Sequence, residues 1–170
     1  AVGDVVGENG LNKLKEILPN LKEREKIDFV IVNGENVAGG MGITQKHFKQ
    51  ILFAGADVVT LGNHTWSKKD VFNFIDDEKL LRPANYPKDV LGKGYNIYNY
   101  NDKKIAVINL IGRINMGVLS ENPFLEAENI IENNVEANKK INTIVNNLTK
   151  LNKEYESSLV TVSRSLNQVI

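Results

Sequence analysis

Three short runs of branched apolar residues, each followed by a glycine and a polar cluster, constrain the fold more than any other feature of the sequence. They cover residues 2–6, 27–32 and 57–61. Runs of this length and composition are typical of strands buried in a parallel sheet. The segments between them, 11–21 and 45–54, have the apolar spacing of amphipathic helices. The β-α-β-α-β order predicts an α/β protein with a mainly parallel sheet.

Local signals predict where several elements begin and end. Pro19 is expected to end the regular part of the first helix, because proline removes a backbone donor. Thr44 is a predicted N-cap of the second helix and Gly55 its predicted C′ residue. A further helix is expected to begin at Lys69. Residues 95–110 hold two apolar runs around a short polar turn, which predicts a β-hairpin.

The composition excludes several classes of protein. The chain has no Cys, so disulfides, Cys-ligated zinc, iron–sulfur clusters and thiol nucleophiles are excluded. Its 21 Lys and Arg balance 21 Asp and Glu, which argues against broad attraction to nucleic acid or anionic lipid. No apolar run approaches the ~20 residues of a membrane span. The first residues lack the features of a signal peptide, and a cytoplasmic location is predicted.

Polar side chains lie in or directly after each predicted strand. Asp4 lies in the first, Glu35 and Asn36 follow the second, and Asn63 and His64 follow the third. Alone, each is equally well explained as a helix cap, a turn residue or a loop residue. The carboxyl ends of parallel strands meet at one edge of a sheet, where ligands bind. Together, these carboxylates, amides and imidazole favour a site for divalent metals, and a paired-metal site could clamp a phosphoryl group.

Three nearby features receive simpler interpretations. His47, in the second helix, is expected to be an ordinary surface or half-buried histidine. Trp66 is expected to pack over the strand ends rather than bind ligand. The glycine-rich segment 38–42 lacks the Lys-Ser/Thr pair of a P-loop and is interpreted as a flexible loop beside the site.

Five segments carry a family resemblance: GDVVG (3–7), DFVIVNGENVAGGMGIT (28–44), GADVVTLGNHTW (55–66), LLRPANYP (80–87) and VINLIGRINM (107–116). Over residues 1–131 the chain resembles the YmdB-like metallophosphoesterases of the calcineurin-like superfamily. The resemblance implies an α/β/β/α sandwich with a dinuclear metal centre. It also implies phosphodiesterase activity on 2′,3′-cyclic nucleotides or related small phosphodiesters, RNA-derived substrates included. No membrane partner is expected, because the sequence has no apolar run long enough to span a membrane.

The resemblance also implies roles for the five polar residues. Asp4 resembles a ligand of the first metal, Glu35 the bridging carboxylate, and Asn36 a further ligand. Asn63 resembles a ligand of the second metal, and His64 the histidine that protonates the leaving group or stabilises the transition state. The implied cofactors are two divalent ions, Fe or Mn, which activate a hydroxide for attack on phosphorus.

Arg82, Asn85 and Arg113 also lie in segments that resemble the family. Support of the site's structure and direct contact with phosphate are both open for these three residues.

The last third of the chain departs from the family pattern. The family continues into D-F-H-A-E and G-T-H-T-H motifs with three more histidines, whereas this chain has two histidines in all, His47 and His64. From residue 125 onward there is no Gly or Pro, and apolar residues between 141 and 169 step by three and four. We therefore expect a truncated metallophosphoesterase domain at 1–124 and a long amphipathic helical segment at 125–170.

The amphipathic stripe leaves two interpretations of the chain open. The stripe could close the chain's own core, or it could pair with another chain in a homo-oligomer. The alternative to an active enzyme is therefore a catalytically incomplete phosphoesterase-like scaffold, or an oligomerising interaction protein.

Overall fold

The computed structural model describes residues 1–114, 116, 120–134, 150, 152 and 153. The chain divides into two units, with the boundary between Pro123 and Phe124. Most of the predicted amphipathic segment, 125–170, lies outside the described residues. The predicted division at 124/125 and the helical tail therefore stay predictions.

A three-stranded parallel sheet forms the centre of the first unit. Its strands are β1 (Ile31–Asn33), β2 (Val58–Thr60) and β3 (Leu80–Leu81), in the order β1-β2-β3. The run predicted at 2–6 contributes only a parallel bridge from Val2 to Val32 on the open side of β1. The sequence contains no signal for β3, because a strand of two residues is too short to show an alternating pattern.

Helix α1 (Gly7–Arg24) buries Leu11, Leu14 and Leu18 against the sheet. The prediction that Pro19 ends the regular helix is wrong, because the helix continues through it to Arg24. Pro19 is on the exposed side, so its missing donor weakens one solvent-facing turn while the buried leucines hold the helix in place.

Helix α2 (Gln45–Phe53) confirms both predicted caps. The Thr44 side chain accepts a hydrogen bond from the backbone N–H of His47. Gly55 follows the helix with a φ of 113°, a backbone conformation that favours glycine. The helix expected at Lys69 is a single 3₁₀ segment, Lys69–Asn73.

The predicted hairpin is confirmed as a separate antiparallel sheet of β4 (Tyr95–Tyr100) and β5 (Lys103–Ile108). Val107 of this hairpin packs with Val58 and Leu81, whereas Val59 and Leu80 point into the helix-side core. Because side chains alternate along a strand, the parallel sheet thus has helices on one face and the hairpin on the other. The described part of the first unit therefore has three layers, α/β/β.

The second unit contributes α3 (Pro123–Asn133), which begins at the unit boundary and buries Ile130 and Ile131. No helix among the described residues is long and apolar enough to cross a membrane.

Candidate active site

The candidate site lies where the chain leaves neighbouring parallel strands. β1 ends at Asn33, so Glu35 and Asn36 follow it, and β2 ends at Thr60, just before the turn that carries Asn63 and His64. The bridge at Val2 is also parallel to β1, so Asp4 leaves the sheet in the same direction. All five predicted residues therefore emerge at the carboxyl edge of the sheet, as the strand pattern predicts.

A chain of side-chain hydrogen bonds joins three of these residues. The Asn36 amide nitrogen donates to Asp4 Oδ1 over 2.8 Å. Asn36 Oδ1 lies 2.5 Å from His64 Nδ1. Because the Asn36 amide nitrogen donates to Asp4, the Asn36 side-chain oxygen faces the imidazole of His64. This oxygen can only accept, so the shared proton belongs to His64 Nδ1. This arrangement orients the ring and leaves Nε2 as the atom that can exchange a proton.

Glu35 joins the same group through the backbone of the neighbouring loop. Its Oε2 accepts a hydrogen bond from the His64 backbone N–H over 3.2 Å. Its carboxylate also lies against Gly62 so closely that a Cβ there would collide with both oxygens. The absence of a side chain at Gly62 therefore lets the two loops meet.

Two buried hydroxyl groups that the sequence interpretation missed lie beneath this turn. Tyr86 Oη donates to the Gly62 carbonyl oxygen over 2.9 Å, and Thr65 Oγ1 donates to the same oxygen over 2.6 Å. Tyr86 belongs to the LLRPANYP segment, so the resemblance marked the segment but not this contact.

Arg82 acts as a buried clamp on the backbone. Its guanidinium donates to the carbonyl oxygens of Pro83 (2.7 Å), Leu91 (3.0 Å) and Val90 (3.2 Å). Of the two interpretations left open for Arg82, the structure supports the structural one.

Asn85 also has a structural role. It is fully buried, and its amide nitrogen donates to the carbonyl oxygens of Ile111 (2.8 Å) and Glu121 (2.9 Å). Its side-chain oxygen accepts from the Ile111 backbone N–H over 2.9 Å. Arg113 is exposed, and its role stays open.

His47 is half-buried, as predicted, and links the first turns of the two helices. Its Nδ1 lies 2.7 Å from Thr44 Oγ1, and its Nε2 lies 3.0 Å from Glu8 Oε1. The hydrogen bond from His47 is the main cause that lowers the pKa of Glu8.

The segments beside the site form a tight turn and an aromatic pair. The glycine-rich segment closes through a hydrogen bond from the Ala38 N–H to the Gly42 carbonyl over 2.9 Å. Trp66 packs against the core and stacks on Phe72 with ring centroids 5.4 Å apart, which agrees with the predicted packing role. A cavity of about 320 Å³ lies between α1 and the segment 2–5, but most of its lining is apolar.

The donor chemistry of the site suits a divalent cation. Among the described residues, no group of three or more His, Cys, Asp and Glu side chains could hold a metal ion. The candidate set instead combines two carboxylates with the amide oxygens of Asn36 and Asn63 and one imidazole. Such oxygen-rich sets fit hard or borderline divalent ions. Because Gly62 has no side chain, the Glu35 carboxylate can lie at the junction of the two loops.

The three layers and the polar residues at the carboxyl edge of the parallel sheet identify an α/β protein. In proteins of this class, ligands bind where the parallel strands end. The chain belongs to the YmdB-like family, whose model, described as YmdB-like protein, matches residues 1–163. This match extends beyond the 1–131 of the sequence resemblance.

The relatives are similar over their matching portion. The 2′,3′-cyclic-nucleotide 2′-phosphodiesterase of Bacillus subtilis (strain 168) is 48% identical over 131 residues, which cover 76% of this chain and 49% of that protein. A hypothetical protein from Thermus thermophilus matches with a TM-score of 0.72 and 35% identity, over 77% of this chain and 51% of that one. A phosphatase from Mycoplasma pneumoniae matches with a TM-score of 0.72 and 35% identity, over 78% and 49%. The chain thus spans about half the length of these relatives.

Proposed function

We propose that this site belongs to a metal-dependent phosphodiesterase that hydrolyses 2′,3′-cyclic nucleotides or related phosphodiesters, RNA-derived ones included. The observation that carries the proposal is the hydrogen-bonded chain from Asp4 through Asn36 to His64, with Glu35 beside it at the carboxyl edge of the sheet. The Bacillus subtilis relative is a 2′,3′-cyclic-nucleotide 2′-phosphodiesterase, which supports the substrate class. The cytoplasmic location is part of the same proposal.

Asp4, Glu35, Asn36 and Asn63 are the proposed ligands of two divalent ions, Fe or Mn. When bound, such ions neutralise charge on the phosphoryl oxygens and supply hydroxide near neutral pH. The protein's own contribution is to hold these oxygen donors close together. The Asn36 hydrogen bond fixes Asp4, and the contacts with Gly62 and the His64 amide fix Glu35.

His64 is the proposed proton donor to the leaving oxygen. As the new oxygen–phosphorus bond forms and the phosphorus–ribose oxygen bond breaks, the leaving oxygen would take the Nε2 proton of the imidazolium form of His64, and the ring would keep its proton on Nδ1. The hydrogen bond from Nδ1 to Asn36 orients the ring for this transfer. Asn36 therefore connects the proposed metal ligand Asp4 to the proposed acid His64. If the amide nitrogen and oxygen of Asn36 exchanged places, one of these two hydrogen bonds would be lost.

We also propose the calcineurin-like α/β/β/α sandwich for the complete domain. The three described layers of the first unit are compatible with it, and the relatives extend well beyond the matched region. The helical segment 125–170 and its use in a homo-oligomer remain part of this proposal.

The test measures metal binding and hydrolysis in the full chain. We expect Mn²⁺ or Fe²⁺ to bind and to support hydrolysis of 2′,3′-cyclic AMP. Asn63→Ala is expected to weaken metal binding, while Asn99→Ala, at an exposed position of the distant hairpin, is the control. The Bacillus subtilis enzyme serves as the positive control for the assay. A chain that binds no metal and hydrolyses no substrate while the control enzyme works would favour the scaffold alternative.

A further inference from the structure

The turn that carries Asn63 and His64 is closed by one carbonyl group. The Thr65 N–H donates to the Gly62 carbonyl oxygen over 3.2 Å, so Asn63 and His64 occupy the two central positions of a four-residue turn. Rotation of the Gly62 carbonyl would rotate the peptide plane that leads into Asn63. The directions of both proposed site residues therefore depend on where this one carbonyl points.

Two hydroxyl groups and an amide hold the backbone at this position. Tyr86 Oη and Thr65 Oγ1 both donate to the Gly62 carbonyl, and both residues are buried. The preceding carbonyl, that of Leu61, accepts from Asn109 Nδ2 over 2.6 Å. The two peptide groups before Asn63 are thus held by side chains from elsewhere in the fold.

We propose that Tyr86 is a positioning residue of the active site, which acts with Thr65 through the Gly62 carbonyl to fix Asn63 and His64. The proposal rests on the proposed function for the identity of the site. Tyr86 itself lies beneath the turn and is 4% exposed, so it has no access to substrate.

The surroundings of Tyr86 keep it a hydrogen-bond donor. Burial is the main cause that raises the pKa of Tyr86, and the nearby Glu35 carboxylate raises it further. A phenol that keeps its proton can donate to a carbonyl, whereas a phenolate could not. Tyr86 donates to the carbonyl of the Gly62–Asn63 peptide, and Glu35 accepts from the N–H of the Asn63–His64 peptide, so the two side chains hold successive peptide groups of the turn.

The hairpin provides a matched control residue. Tyr98 is half-buried rather than fully buried, but its pKa is likewise raised mainly by burial, and its hydroxyl donates to the Glu78 carbonyl over 2.6 Å. Glu78 lies just before β3, at the end of the strand opposite the site. Tyr98→Phe removes the same kind of hydrogen bond as Tyr86→Phe without touching the 62–65 turn.

The experiment compares Tyr86→Phe with Tyr98→Phe in the full chain. Amide hydrogen exchange by NMR is measured at His64 and Thr65, with the amides of β2 as the internal reference for global stability. We expect Tyr86→Phe to speed exchange at His64 and Thr65 about fivefold relative to β2, the effect of losing one ordinary hydrogen bond. Tyr98→Phe is expected to leave that ratio unchanged. Equal ratios in the two variants would overturn the proposal.

Mn²⁺ affinity provides the second readout. Tyr86→Phe is expected to weaken Mn²⁺ binding about fivefold, and Tyr98→Phe to leave it unchanged. Thr65→Ser, which keeps the hydroxyl, is expected to bind Mn²⁺ normally, whereas Thr65→Val is expected to bind it more weakly. If the wild-type chain binds no Mn²⁺, the proposed function fails, and the exchange ratio alone decides whether Tyr86 positions the turn.

Discussion

Replacement of the buried Asn85 by alanine should destabilise the first unit without altering the candidate site directly. Its side chain is fully buried and makes three hydrogen bonds, two to Ile111 and one to the Glu121 carbonyl. Asn85→Ala leaves the N–H and the carbonyl of Ile111 without these partners. Glu121 is exposed, so water can replace the lost bond there.

The expected cost follows from the two buried groups of Ile111. An unsatisfied buried donor or acceptor costs about 1–3 kcal/mol, so we expect a loss of about 3 kcal/mol of unfolding free energy. With a typical slope of about 2 kcal/mol per molar urea, the unfolding midpoint should fall by about 1.5 M. Such a loss is a large fraction of the ~5–15 kcal/mol that stabilises an ordinary domain.

Urea titration followed by the fluorescence of Trp66, the chain's single tryptophan, measures this directly. Asn12→Ala is the control, because Asn12 is exposed on α1 and alanine favours helix. An Asn85→Ala variant with a wild-type midpoint but weakened phosphodiester binding would refute the structural role. It would instead support the phosphate contact that the sequence left open.

Three further substitutions should give distinct results. Gly62→Ala should move the flexible end of Glu35 and weaken Mn²⁺ binding about tenfold with little change in Tm. Gly94→Ala should instead cost about 2 kcal/mol or more of stability, measured by urea titration, because its Cβ would collide with the backbone of Ala84. Hydrogen bonds, chiefly from the first backbone N–H of α2, lower the pKa of Asp70. Its folded pKa lies below the unfolded value, so the stabilisation is present at neutral pH and disappears as the pH falls below about 3.8. Asp70→Asn should therefore lower Tm at pH 7 and leave it nearly unchanged in strong acid, and an equal loss at both pH values would contradict this account.

The sequence pattern predicts that the five polar residues lie at one edge of the sheet, but it does not show which of their side chains form hydrogen bonds with one another. Glycine followed by polar residues after each apolar run is a local pattern, and parallel pairing brings such ends together. The pattern could not show that the Asn36 amide lies between Asp4 and His64, because the residues concerned are 32 and 28 positions apart in the chain. Nor could it show the contact of Tyr86 with Gly62, which are 24 positions apart.

The same distinction explains the fold. The sequence alone determined the α/β class, the caps of α2 and the β4–β5 hairpin, because each depends on neighbouring residues and their periodicity. Only the tertiary structure decided that α1 continues through Pro19, that two residues suffice for β3, and that Asn85 supports the backbone. These outcomes depend on burial and on hydrogen bonds between segments far apart in the chain, whose energies outweigh local propensity.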